Sequence, residues 1–275
     1  MSSASVLRAA EKPAAAAPRY ALLLSRDPAI VEEVQRLRYE VFTSEPGFVL
    51  AGSFGNGVAG LDADHFDEYC DHLLVRDCST GELVGCYRML SPAAANAAGG
   101  LYMATEFDIS ELAPLRPSLV EMGRAVVRDG HRSGAVVLLM WRGILAYLDR
   151  SGYDFVIGCV SVPIQRTRYA IAGEEVRGVR DLALRSHTAS YRVRPYRPVV
   201  VGGKLLDEIA APARLAVPPL MRAYLRLGAN ICGEPAHDPD FAVADFPALL
   251  DKRKADIRYL ERLRSAAKSA DGYSG

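Results

Sequence analysis

The chain has 275 residues, half of them hydrophobic and about a quarter charged, which is the composition of a globular protein with a full core. Its 33 basic side chains equal its 33 acidic ones, so it lacks the basic excess of general nucleic-acid binders, and we expect no nucleic-acid partner. No apolar run approaches the roughly 20 residues of a membrane span, and residues 1–19 contain no signal-peptide core. We therefore expect a cytoplasmic protein with a disordered N-terminal tail.

The five cysteines form no CxxC pair, and most of them lie in apolar, strand-like segments. An odd number of cysteines in such segments indicates reduced thiols in the core rather than disulfides or a zinc site. We therefore expect no bound metal ion.

A strand, a helix and a loop begin the folded part of the chain. Residues 20–24 form a short apolar run, and either Ser25 or Asp27 caps the helix predicted over residues 29–42. Residues 48–61 are rich in glycine and have no periodicity, which is typical of a loop that covers a substrate site.

An acidic segment follows, in which aspartates alternate with histidine and aromatic residues. One interpretation is a solvated loop. The other is a site for a positively charged amine, because Phe66 and Tyr69 require that part of the segment faces apolar surroundings. A metal site is the weaker alternative, since no spacing resembles a calcium loop or a zinc helix. In the second interpretation the amine contacts are Asp64, Asp67 and Asp71.

Residues 72–76 and 83–90 alternate between apolar and polar side chains and predict an antiparallel hairpin. Residues 118–162 then form the centre of the predicted fold. They read as an apolar strand, a polar turn, a long amphipathic helix and a second apolar strand, the order of a parallel βαβ unit.

The turn of this unit, RDGHRSGA, precedes a helix N-terminus, where free backbone N–H groups bind anions. We predict that it holds the pyrophosphate or phosphopantetheine of an acyl carrier. The predicted contacts are Arg128, Gly130, Arg132, Ser133 and Gly134.

Glu121 is a carboxylate within an apolar strand, where an ionised group is costly unless it is paired or functional. One interpretation is a buried ion pair with Arg124 or another arginine, and a pair with Arg124 would require a bulge at Gly123. The other is that Glu121 acts as a general base. We favour the base. An α-amino group has a pKa near ~8 and is mostly protonated at neutral pH, so a carboxylate must take its proton before the nitrogen attacks a thioester. A backbone N–H freed where the strand splays from its neighbour would stabilise the oxyanion.

No histidine lies near Cys159 or Ser161 in the sequence. We therefore interpret Cys159 as a core residue and Ser161 as a hydrogen-bond donor to substrate, and we expect direct acyl transfer without an acyl-enzyme intermediate.

Several segments taken in order, from about residue 20 to residue 250, resemble the ornithine-lipid-forming N-acyltransferases of the GNAT superfamily, which lie close to the acyl-homoserine-lactone synthases. They are RYEVF (38–42), FDEYCDHLLV (66–75), LVGCYRML (83–90), EMGRAVV (121–127), LLMWRGILAYL (138–148), IGCVSV (157–162) and the segment at 218–250.

The resemblance implies an α/β fold with a central mixed sheet flanked by helices: a GNAT-like core over residues 20–205 and a helical C-terminal extension over 206–275. It also implies transfer of a long 3-hydroxyacyl chain from acyl carrier protein, or from CoA, to the α-amino group of L-ornithine. The product is lyso-ornithine lipid, and no cofactor is permanently bound. Glu121 and Arg124 match the ExxR motif of the related synthases and are the predicted catalytic residues. Arg38 and Phe42 are further predicted substrate contacts.

Two alternatives stay open at this point. The same fold is compatible with another amine acceptor, including one that cyclises to a lactone. A non-catalytic module that binds an acyl chain or its carrier is the alternative of another class.

The C-terminal third is predicted to be mainly helical. Basic segments at 177–184 and 191–201 suit the docking of an acidic carrier protein. A helix is predicted over 219–227. Asp238 and Asp245 either close over the active site or cap local backbone, and we favour a cap for Asp245, which precedes Phe246-Pro247 as the N-cap of another helix would. A last amphipathic helix, to about residue 267, is expected to meet a partner subunit or, peripherally, the membrane surface.

Overall fold

The computed structural model describes residues 18–45, 60–132, 134–256, 258, 259 and 261. In them an eight-stranded mixed sheet carries helices on both faces, which confirms the predicted α/β fold. Most of the predicted tail, most of the glycine-rich loop and most of the last helix lie outside these residues. Of the helices described, none has both the length and the apolarity needed to cross a membrane.

The strands are β1 (Tyr20–Ser25), β2 (Asp71–Asp77), β3 (Leu83–Leu90), β4 (Phe107–Asp108), β5 (Leu119–Val127), β6 (Phe155–Pro163), β7 (Arg194–Pro195), β8 (Val200–Val201), β9 (Lys204–Leu205), β10 (Asn230–Ile231), β11 (Ala236–Asp238) and β12 (Val243–Asp251). The α-helices are α1 (Pro28–Ser44), α2 (Pro92–Ala97), α3 (Ala135–Ser151), α4 (Glu174–Ser186) and α5 (Pro219–Leu227).

The main sheet has the order β1-β2-β3-β5-β6-β12-β10, and β11 also pairs with β12. The predicted hairpin is confirmed as β2 and β3, and the predicted βαβ unit as β5, α3 and β6. β5 and β6 are the parallel pair of this sheet, and its other pairs are antiparallel.

The helices α1 and α3 cover opposite faces of the sheet. Leu37 of α1 belongs to an apolar cluster that includes Leu74, whereas Ile144 of α3 belongs to the cluster that includes Leu73. Successive side chains of a strand point to opposite faces, so these neighbours in β2 assign one face to each helix. Asp27 begins α1 by accepting the N–H of Ala29 over 2.9 Å, as a helix cap does.

The strands β5 and β6 separate in the middle of the sheet. They pair only at Leu119–Glu121 with Phe155–Ile157. Just beyond, the register of β5 against β3 shifts, and Arg124 adopts a left-handed conformation with φ 52°. One extra residue in β5 forms a bulge here, which bends the strand and re-aims its side chains. The separation leaves an opening directly beside Glu121.

The prediction of a helix near Pro247 was wrong. Residues Val243–Asp251 form β12, which lies beside β6 over nine antiparallel pairs and contributes fully buried side chains to the core. Pro247 is tolerated because its carbonyl faces the β10 side, where it accepts the N–H of Cys232. The N and carbonyl of a strand residue point the same way, so the missing N–H costs no bond to β6. The predicted α5 is confirmed and ends at Gly228 in the left-handed conformation.

Candidate active site

The opening between β5 and β6 leads into a cavity of about 150 Å³, several times the ~10–15 Å³ that one water molecule needs by the same measure. Aromatic and charged side chains share its wall. The lining comprises Phe42, Phe66, Arg88, Leu90, Tyr102, Glu106, Glu121, Met122, Gly123, Arg124, Ala125, Cys159, Ser161, Leu220, Asp238, Phe241 and Asp245.

Both sides of the sheet contribute to this cavity. Cys159 and Ser161 of β6 lie on the face that also carries Glu121 and α1. Leu220 belongs to α5, which packs with α3 on the opposite face, where the Tyr224 ring lies 5.0 Å from that of Trp141. The cavity therefore passes through the gap in the sheet.

Glu121 is buried and faces the cavity, and no arginine that the structure describes forms an ion pair with it. Its two carboxylate oxygens accept the backbone N–H groups of Tyr102 over 2.6 Å and of Met103 over 2.8 Å. Burial raises the pKa of Glu121 to about 7, although these two hydrogen bonds oppose the shift. The carboxylate is thus held in a fixed orientation and changes protonation near neutral pH, as a general base must.

The buried ion pair between Glu121 and Arg124 that was the alternative interpretation does not form. The guanidinium of Arg124 instead lies 3.5 Å from Asp62 and 3.6 Å from Asp64. It packs over the Tyr102 ring, with 5.2 Å to the centroid. The bulge in β5 brings Arg124 into the wall beside Glu121, so the two residues line one cavity without neutralising each other.

The fully buried Arg38 does not line the cavity, contrary to its predicted substrate contact. Its guanidinium donates to both carboxylate oxygens of Asp67, over 2.7 and 2.9 Å, and lies 2.8 Å from the Asp62 carboxylate. Although burial opposes the shift, Arg38 holds the pKa of Asp67 well below its usual range. A carboxylate already bonded to an internal guanidinium is a poor partner for an incoming amine.

The remaining aspartates of the acidic segment are also paired with internal cations. Asp64 lies 2.5 Å from Arg88, and Asp71 is bonded by Arg26 over 2.6 Å and by the Tyr147 hydroxyl over 2.8 Å. Neither residue lines the cavity. The solvated-loop interpretation was also wrong, because the carboxylates of Asp62 and Asp67 are buried.

Phe42 and Ser161 lie in the cavity wall, where a substrate contact was predicted. The Ser161 hydroxyl donates to Asp245 over 2.5 Å, and the Phe42 ring meets Phe241 edge-on at 5.5 Å. Cys159 also lines the cavity, but burial and the nearby Glu106 raise the pKa of its thiol well above the usual range. A thiol that resists ionisation is a poor nucleophile.

Three cavity carboxylates were not among the predicted site residues, those of Glu106, Asp238 and Asp245, although closure of Asp238 and Asp245 over the active site was one of two interpretations of the sequence. One oxygen from each lies within 4.8 Å of the others. Asp245 had been interpreted as a helix cap, but it points from the middle of β12. A carboxylate inside an apolar strand was the signal that identified Glu121, and the same signal was present at Asp245.

These three carboxylates repel one another at the cavity wall. Burial, together with Asp245 and Asp238, raises the pKa of Glu106 to about 8. Burial also raises the pKa of Asp245 to about 6, although its bond from Ser161 opposes this. The wall is therefore short of positive charge at this point.

The turn that was predicted to hold a phosphate lies outside the cavity lining. Arg128 pairs with Glu40 over 2.9 Å and with Glu82 over 3.0 Å, and Arg132 pairs with Glu45. Gly130 and Gly134 adopt left-handed conformations, and no side chain described caps the start of α3. Ser133 lies outside the described residues. The first N–H groups of α3 therefore have no helical partner, and the phosphate site stays a prediction.

Known proteins resemble this chain along most of its length. A family model described as an acetyltransferase (GNAT) domain matches residues 37–142. The L-ornithine N(alpha)-acyltransferase of Rhizobium meliloti (strain 1021) is 33% identical over 251 residues, covering 86% of this chain and 81% of that protein. The protein of the same name from Brucella abortus (strain 2308) is 32% identical over 250 residues, covering 86% of each. The solved AHL synthase LasI superposes with a TM-score of 0.47 at 13% identity, over 85% of this chain and 90% of that one.

Proposed function

The chain belongs to the L-ornithine N(alpha)-acyltransferase family, and we propose that it joins an acyl group from a thioester to the α-amino group of L-ornithine. One observation carries the mechanism. The buried carboxylate of Glu121, oriented by two backbone N–H groups, faces a cavity at the point where β5 and β6 separate.

The acceptor enters as an ammonium and must lose a proton before it can attack. Glu121 takes this proton, directly or through one water molecule, because its pKa of about 7 lies close to the working pH. The α-carboxylate of the acceptor pairs with Arg124. This guanidinium lines the cavity and contacts its own carboxylates only at 3.5 and 3.6 Å, so it can accept a closer anion.

The amine nitrogen then bonds to the thioester carbon, and the carbonyl oxygen becomes an oxyanion. A backbone N–H of β5 beyond Glu121, where pairing with β6 has stopped, is the proposed donor to that oxygen. Collapse of the intermediate breaks the C–S bond, and the departing sulfur takes the second proton of the nitrogen. One amide and one thiol form, and the proton on Glu121 returns to solvent.

The thioester reaches the gap from the side of the sheet that carries α3 and α5. The N-terminus of α3, which no described side chain caps, binds the phosphate of a phosphopantetheine arm, with Arg128, Gly130, Arg132, Ser133 and Gly134 around it. This arm belongs to acyl carrier protein, with CoA as the other source of the same group. A 3-hydroxyacyl chain would make the product a lyso-ornithine lipid, released by a cytoplasmic enzyme in peripheral contact with the membrane.

The test is a mass-spectrometric assay for amide products, with 3-hydroxyacyl carrier protein or acyl-CoA as donor and a panel of amino acids as acceptors. We expect product on ornithine and a 10²- to 10⁴-fold lower rate in Glu121→Gln. The loss should shrink above pH ~9, where the free amine no longer needs a base.

Glu111→Gln is the matched control, because Glu111 also accepts a backbone N–H, that of Arg192 over 2.9 Å, but lies outside the cavity. If the amide forms on a different amine, that amine and not ornithine is the acceptor. If the protein binds the acyl donor without turnover, the alternative of a non-catalytic binding module is favoured. If Glu121→Gln lowered the rate by the same factor at every pH, Glu121 would have a structural role and not that of a general base.

A further inference from the structure

The carboxylates of Glu106, Asp238 and Asp245 have no part in the transfer chemistry described above, yet they share its cavity. They come from distant parts of the chain: Glu106 precedes β4, Asp238 ends β11, and Asp245 lies within β12. The pairing of Asp238 with Val243 and of Asp245 with Ser161 brings them to one wall. Their position therefore depends on the same strands that form the gap.

The charges around the cavity do not balance. In the buried ion-pair network, three arginines meet three aspartates, and these charges cancel. The network consists of Arg38, Arg88 and Arg124 with Asp62, Asp64 and Asp67.

Glu106, Asp238 and Asp245, which we call the carboxylate cluster, lie outside that network. No residue that the structure describes forms an ion pair with Glu106, Asp238 or Asp245. The Tyr102 side chain hydrogen-bonds to the Glu106 carboxyl group and opposes the rise of its pKa, but the buried Oε2 atom of Glu106 has no hydrogen-bond partner among the described residues. A buried carboxylate oxygen without a partner costs free energy, so this arrangement indicates a ligand that supplies hydrogen-bond donors and positive charge.

We propose that Glu106, Asp238 and Asp245 bind the side-chain ammonium of the amino-acid acceptor and so select an acceptor with a terminal amine. This inference rests on the proposed transfer to ornithine and names the part of the cavity that recognises its side chain. The three residues determine specificity, while Glu121 serves the α-amino group.

The geometry suits a primary ammonium. Three oxygens no more than 4.8 Å apart leave a position about 2.8 Å from each of them, which is the length of a charge-assisted N–H···O bond. A primary ammonium has three N–H donors, one for each carboxylate. With the side-chain nitrogen held there, the α-amino group is the one left to react.

Two further contacts keep the cluster in place. Ser161 donates to Oδ1 of Asp245, and Oδ1 of Asp238 accepts the N–H of Asp240 over 2.8 Å. Arg124 is the cation whose attraction acts on both Glu106 and Asp245. An α-carboxylate bound to Arg124 and an ammonium bound to the cluster would place an amino acid across the cavity, with opposite charges at its two ends.

The test separates binding from turnover. Ornithine alone, without acyl donor, should raise the melting temperature of the wild-type protein, and norvaline, which lacks the side-chain amine, should not. Glu106→Gln, Asp238→Asn and Asp245→Asn should each raise the ornithine Kd and KM roughly 10- to 100-fold and so reduce the preference for ornithine over norvaline. Glu32→Gln, which removes an exposed carboxylate of α1, is the control and should change neither constant.

Each result has one meaning. Loss of ornithine binding in the cluster variants supports the inference even if no amide forms, in which case the proposed function alone fails. Amide formation with unchanged preference for ornithine over norvaline in all three variants overturns the inference and leaves the proposed function standing. Thermal stabilisation by Mg²⁺ or Ca²⁺ alone that is lost in Asp245→Asn, with none by ornithine, would assign the cluster to a metal ion and overturn it too.

Discussion

Gly158 of β6 lies directly against the backbone carbonyl of Met122 in β5. A Cβ atom at position 158 would stand 2.2 Å from that carbonyl oxygen, far inside any allowed contact. This contact lies at the residues that directly follow the last pair, Glu121 and Ile157, where the two strands begin to separate. The absence of a side chain at residue 158 thus lets β5 take the path that opens the cavity.

We therefore predict that Gly158→Ala destabilises the protein by about 1–3 kcal/mol or more, because the backbone of β5 must move. Gly123→Ala is the matched control, since a Cβ there meets nothing within 4 Å and its φ is not in the left-handed region. Denaturant unfolding of both variants measures the difference. Equal stabilities would show that β5 can shift without cost.

Stability should fall as the pH rises through the range in which Glu106 ionises. Burial and repulsion by Asp245 and Asp238 raise the pKa of Glu106 to about 8 in the folded protein, against about 4.5 when unfolded. The contribution of protonated Glu106 to the free energy of unfolding is complete below pH ~4.5, where Glu106 is protonated in both the folded and the unfolded protein. This contribution is lost as the pH rises to about 8. Each unit of raised pKa costs about 1.4 kcal/mol once the group is ionised.

Glu106→Gln should consequently show a flatter profile of melting temperature against pH and should be more stable than the wild type at pH 8.5. The comparison variant is Glu32→Gln, whose profile should keep the wild-type shape. A wild-type profile without any decline between pH 5 and pH 8.5 would contradict the prediction.

Ornithine binding should release protons near pH 7.5. The groups that face the Glu106 carboxyl are Asp238, Asp245, Tyr102 and Arg124. A bound ammonium adds a positive charge to this set and lowers the pKa of Glu106, so the proton that the free protein holds must leave. Affinity should therefore rise with pH between about 6 and 8. Calorimetry in two buffers of different ionisation enthalpy counts the protons released on binding. Net proton uptake would contradict the prediction.

Arg38 should stabilise the fold rather than bind substrate. Arg38→Met removes the closest guanidinium from the buried carboxylates of Asp67 and Asp62 and leaves them only Arg88 and Arg124, which costs about 3–5 kcal/mol. Arg36→Met, two residues earlier on α1, breaks an exposed pair with Glu32 and should cost at most about 1 kcal/mol. Urea unfolding compares them. A raised ornithine KM in Arg38→Met with wild-type stability would restore the predicted substrate contact.

Local patterns were sufficient for the centre of the fold. The βαβ order of residues 118–162, the hairpin of β2 and β3, and the helix α5 follow from apolar periodicity and from turn residues, which act over a few positions. A single carboxylate in an apolar strand likewise identified Glu121, because the cost of burying a charge is visible in the sequence itself.

The same local rules failed where long-range pairing outweighs them. Asp245-Phe246-Pro247 has the signature of a helix start, but a vacant position beside β6 makes it a central strand. Asp67 and Asp71 were predicted to contact an amine. Instead Asp67 accepts hydrogen bonds from Arg38, 29 residues earlier in the chain, and Asp71 accepts them from Arg26, 45 residues earlier.

The sequence by itself determined the class of fold, its central elements and the exceptional place of Glu121 in an apolar strand, because each depends on neighbours along the chain. Only the tertiary structure decided which carboxylates are neutralised and which are left facing the cavity. Asp245 reaches the wall that it shares with Glu106 because β12 pairs with β6. The balance of charge at the site is a property of that pairing, since Coulomb interactions depend on distance in space and not on separation along the chain.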